Sequence, residues 1–133
     1  MEQTTENEEK VTISEEKIDK VLIELVAYNA SLQVAHWKAD TLSNEHKVLG
    51  HLYEKMTELT DELAEVYMGT YGVIETQTTG LVKTTLNKPA TTGCDIMYRL
   101  RELFDKEEDA YILNIIETIQ AELYRAKYLL KES

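Results

Sequence analysis

The coordinating side chains of this sequence are concentrated in one stretch. "AHWKADTLSNEHKVLGHLYEKMTELTDELAE", from Ala35 to Glu65, holds all three histidines, the only tryptophan and a run of spaced carboxylates. Asp61 and Glu65 stand four residues apart, so on a helix one side chain lies a turn above the other. Two carboxylates so placed can share a divalent cation. Imidazole nitrogens from His36 and His46 would complete a mixed nitrogen–oxygen donor set, the kind that suits iron, zinc or manganese. The competing reading is an acidic face turned to water. Glu54, Glu58, Asp61, Glu62 and Glu65 fit that description, with Lys55 to balance them. His36 would then be a hydrogen-bonded core histidine and His46 a helix-start residue. On spacing alone the solvated face is the commoner outcome. His51, next to Glu54, reads as surface.

Helices must position these groups. Proline is nearly absent, with Pro89 alone, and glycine is scarce, which favours long uninterrupted helices. Residues 1–12 offer nothing to bury and are expected to form a disordered acidic tail. The first helix is expected from near Ser14, a capping residue, to near Asp40. Ile18, Leu22, Leu25, Asn29, Leu32 and His36 recur along it at alternating spacings of three and four, the stripe of an amphipathic helix. Ser43 or Asn44 can cap a second helix carrying Leu49, Leu52, Met56, Leu59, Leu63 and Val66. Gly69 and Gly72 supply its stop. Val73 to Thr91 is threonine-rich and reads as a long connection between helices 2 and 3. A third helix is expected after Thr92. "DKEED" separates it from a fourth that carries Ile112, Ile116, Ile119, Leu123 and Leu130. The fold class is therefore all-α: one four-helix-bundle domain over residues 13–133. Tyr111, Tyr124 and Tyr128 on the last helix are candidates for an interface.

The wheel of the second helix turns Asp61 and Glu65 away from their own leucine stripe, whereas His36 sits near the core stripe of the first. One subunit does not readily bring the four together. A second subunit packed against the acidic face could, so a metal site is expected at a dimer interface.

The net charge of −11 repels phosphate backbones and anionic membranes and suits cations. Cys94 is the only cysteine, which excludes an intrachain disulfide and fits a reducing cytoplasm. The opening "MEQTTENEEK" lacks the apolar run of a secretory signal, and no stretch approaches membrane-spanning length.

"AHWKADTLSNEH" followed by "DELAE" resembles the Dps group of the ferritin-like fold, the DNA-binding proteins from starved cells. Their signature is a His-Trp pair near the end of the first helix and a histidine early in the second. An aspartate and a glutamate four apart follow near that helix's end. The resemblance covers residues 14–131 in architecture and 35–65 in motif. It implies ferrous iron oxidised at a site shared by two subunits. His36 and His46 would come from one subunit and Asp61 and Glu65 from the other, with Trp37 flanking the site. It also implies assembly of dimers into a cage. Three departures stand out. The family places a further acidic ligand four residues after the second histidine, where this chain has Gly50, which weakens the expectation of ferroxidase activity. The stretch between the histidines is shorter by about two residues than the family pattern. The basic tail that many Dps proteins use on DNA is replaced by an acidic one, so DNA binding is not expected to carry over. "SNEHKVLGHLYEKMTELTDELAEVYMGTYG" also looks like small Dps-like proteins of unknown function from tailed bacteriophages, which would place the protein in a host cytoplasm.

Three function classes remain open at this point. The first is a homo-oligomeric iron or other divalent-metal protein. The second is a non-enzymatic binder of a small molecule such as a nucleotide signal. It would use Lys83, Lys88, Arg99 and Arg101 as anion contacts and Trp37 and Tyr71 to stack a base. The third is a structural or adaptor oligomer with no ligand.

Overall fold

The protein is described from a computed structural model, covering residues 2–75 and 80–133, with side chains from Glu15 onward. Four helices follow in order: α1 (Glu2–Lys38), α2 (Asn44–Tyr71), α3 (Pro89–Arg101) and α4 (Ala110–Leu129). No strand occurs among the described residues. Between α2 and α3, residues 72–75 and 80–88 carry neither helix nor strand. α1 packs on α2 and α3, and α4 packs on the same two, so the helices close a four-sided bundle.

The apolar stripes meet inside it. Leu25, Leu32, Leu49, Met56, Met97 and Ile116 are fully buried, two or more from α1 and α2 and one each from α3 and α4. Truncating any such leucine to alanine costs about 2–5 kcal/mol. Asn29 lies in the same stripe and is also buried; its amide nitrogen donates to the Thr60 hydroxyl at 2.9 Å and ties α1 to α2.

α2 follows the capping rules at both ends, with Ser43 before it and Gly72 after it, and the starts of two other helices differ from expectation. α1 begins at Glu2 rather than near Ser14, because glutamate, glutamine and lysine extend a helix at little cost. The expected acidic tail, residues 1–12, falls where side chains lie outside the described residues. α3 begins at Pro89, three residues before Thr92, because proline suits the first turn and needs no amide partner there. Its free amides are met by the C-terminal segment. The Glu132 carboxylate accepts from the backbone N–H of Ala90 at 3.0 Å and of Thr91 at 2.8 Å. Lys131 turns the chain with φ of 55°, and the Glu132 amide closes back on the Lys127 carbonyl at 3.0 Å.

The "DKEED" break between α3 and α4 is a carboxylate-built turn. Asp105 accepts from the backbone N–H groups of Glu107 at 2.8 Å and Glu108 at 2.9 Å. Those bonds hold its carboxyl below the ordinary range, that from Glu108 most. Asp109 is buried and accepts from the Tyr71 hydroxyl, anchoring the turn to the end of α2.

Candidate functional site

α1 ends and α2 begins at the same corner of the bundle. The Ser43 hydroxyl caps α2 by accepting from the His46 N–H at 3.1 Å. That cap fixes the first turn and sends the His46 ring back toward α1. There it meets His36. The two rings stack with centroids 4.0 Å apart and planes inclined by 25°.

The pair is locked reciprocally. His36 Nδ1 bonds the His46 carbonyl oxygen at 2.8 Å, and His46 Nδ1 bonds the His36 carbonyl oxygen at 2.8 Å. A carbonyl oxygen only accepts, so each Nδ1 must carry the proton. Each neutral ring therefore has its lone pair on Nε2. A carbonyl on Nδ1 is also the usual partner of a metal-ligating imidazole, because it fixes tautomer and ring direction together.

Gly50 is part of the same arrangement. A Cβ at position 50 would fall 2.7 Å from His36 Cε1 and 3.0 Å from its Nδ1. Real carbon atoms do not approach so closely, so the ring occupies the space of the missing side chain. The acidic residue that the Dps pattern has at this position is incompatible with this placement of His36.

Asp61 and Glu65 lie elsewhere. Both are exposed on α2, facing away from the core. Asp61 is fifteen residues beyond His46 on the same helix, about 22 Å along its axis at ~1.5 Å per residue. The chain brings His36 and His46 together and keeps Asp61 and Glu65 apart from them. Among the described residues no three metal-ligating side chains converge. Trp37 is 65 % exposed beside the histidine corner. His51 is exposed as expected and pairs with Glu122 across to α4 at 3.7 Å.

Most cations considered as anion contacts are already engaged. Arg99 makes a two-point bond to Glu24, at 2.7 and 3.0 Å, which raises its affinity for the proton. Arg101 reaches Glu117 and Gln120. Lys88 donates to the Ser133 carbonyl at 2.9 Å. Tyr71, considered as a stacking partner, is held by Asp109. The reciprocal histidine lock was not foreseen from sequence. Its signal was the pairing of a histidine at the end of one helix with a histidine and a glycine at the start of the next.

The chain belongs to a family of unknown function (DUF5856), whose match spans residues 36–130, from His36 itself to the end of α4. Neither the curated proteins nor the solved structures gave a match.

Proposed function

We propose that the protein is a ferritin-like, Dps-like homodimer or larger homo-oligomer that binds divalent metal, ferrous iron first, between two copies of the chain. The histidine corner of one copy would supply the imidazole, and Asp61 and Glu65 of the partner subunit the carboxylates. The observation that carries this reading is the double Nδ1–carbonyl lock, which leaves an Nε2 lone pair on each neutral ring. The acidic surface favours cation approach and disfavours DNA.

The stack limits how the histidines can be used. Imidazole lone pairs lie in the ring plane, and these planes are nearly parallel. Two such lone pairs do not converge on one ion at a bond length of about 2.0–2.1 Å. One imidazole per ion is the natural use, with its neighbour orienting it; engaging both requires one ring to leave the stack. With Gly50 adding no carboxylate, the donor set is smaller than in Dps proteins. Weak binding with open coordination positions follows, and iron as substrate would meet dioxygen or peroxide there, losing one electron per ion.

Isothermal titration with ferrous iron under anaerobic conditions tests the reading. Saturable binding is expected, lost in His36→Ala with His46→Ala and equally in Asp61→Ala with Glu65→Ala. No binding, or binding indifferent to the two carboxylates, removes the proposal.

A further inference from the structure

A second feature, independent of the metal reading, lies on the opposite side of α2. The start of α2 and the end of α4 enclose a groove of about 170 Å³. Its floor is apolar: Leu52 and Ala126 are buried, Val48 is half-buried, and Leu129 keeps 40 % of its surface exposed. One end is tied shut by the Asn44 amide donating to the Leu129 carbonyl at 2.9 Å.

Two cations flank this floor, Lys47 on α2 and Arg125 on α4. Among the described residues neither side chain has a hydrogen-bond or ion-pair partner. For Arg125 a local partner was within reach. The arginine follows Glu122 by three residues, a spacing at which opposite charges on a helix can meet. Glu122 is turned instead to His51, at 3.7 Å. In a chain of net charge −11, the groove keeps two uncommitted cations over an apolar floor.

The geometry points to a binding site for a small organic monoanion: one carboxylate head on a compact ring or branched apolar body. Arg125 offers the planar fork that matches a carboxylate, and Lys47 a second positive charge. Lys47 and Arg125 outweigh the single carboxylate of the groove, Glu122, by one charge, which suits a monoanionic carboxylate. The volume is below the usual range of about 300–1,000 Å³ for drug-sized ligands and is of the size of a single ring.

Amide-resolved NMR titration with benzoate tests this, with benzamide as the neutral analogue and acetate as the anion without a body. Benzoate is expected to shift the amides of residues 47–52 and 122–129 saturably, with benzamide and acetate much weaker. Arg125→Ala or Lys47→Ala should weaken benzoate about tenfold, the effect of one lost charge-assisted bond. Both side chains are exposed, so the thermal midpoint should hold; Arg125→Gln replaces the alanine variant if it does not. Absence of a saturable benzoate shift overturns the proposal. So does equal binding of benzamide or acetate, or benzoate binding untouched in both variants.

Discussion

The imidazole of His36 fills the space that a side chain on Gly50 would need, 2.7 Å from where a Cβ would stand. The stacked histidines and the glycine are thus one feature spread over two helices. Removing the glycine should remove the stack.

Gly50→Ala is expected to change the histidines more than the stability. The added methyl improves helix propensity by about 1 kcal/mol. Displacing His36 costs a hydrogen bond of about 1 kcal/mol. These offset, so the unfolding free energy should stay within about 1 kcal/mol of the parent. The tautomer is the sensitive readout. Long-range proton–nitrogen spectra should place the proton on Nδ1 of both rings in the parent. In the variant His36 should lose that preference. An unchanged His36 signature would mean that the ring does not need the space.

The C-terminal segment should matter to a helix far away in sequence. Glu132 accepts two backbone N–H bonds at the start of α3, the service an N-cap residue usually provides. Glu132→Ala is expected to lower stability by about 1 kcal/mol, measured by urea unfolding. Lys131→Gly should act the other way, by up to about 1 kcal/mol, since φ of 55° is strained for lysine. A neutral Glu132 variant would contradict the cap.

Three of the eight tyrosines should resist alkaline titration. Burial raises Tyr28, whose hydroxyl donates to the Pro89 carbonyl at 2.7 Å. Burial and then Asp19 raise Tyr67, and burial and then the bond to Asp109 raise Tyr71. The folded state therefore holds these protons more tightly than the unfolded one. Their contribution to stability is complete below the unfolded tyrosine pKa of about 10 and is lost as pH rises above it. Ultraviolet titration should show a late phase that coincides with loss of helical circular dichroism. A single phase for all the tyrosines, with the fold intact, would contradict this burial.

The four helices could be read from the sequence because stripes such as Leu49, Leu52, Met56 and Leu63 repeat at the helical period and all became core. A cap at Ser43 or Asn44 was legible for the same local reason, and Ser43 fills it. The start of α3 was not, because its cap comes from Glu132, forty-two residues after Ala90. Local rules do not reach that far. The partners of the basic candidates were hidden for a similar reason. Arg99 finds Glu24 seventy-five residues away, and no spacing rule announces that partner. At the site, the sequence singled out His36 and His46, and the structure brings them together. What it did not reveal was that Gly50 makes their contact possible, since a missing side chain has meaning only once its neighbour is known.

The proposal of a shared site makes a demand that one pair of variants can meet or fail. One carries His36→Ala and His46→Ala; the other carries Asp61→Ala and Glu65→Ala. Each alone should bind no ferrous iron. Unfolded together and refolded, they form mixed dimers in which one site joins the histidines of one copy to the carboxylates of the other. Recovery of one bound ion per mixed dimer is the result expected, read by anaerobic titration. A mixture as inert as its two parents, with dimers formed, would contradict metal binding across two chains.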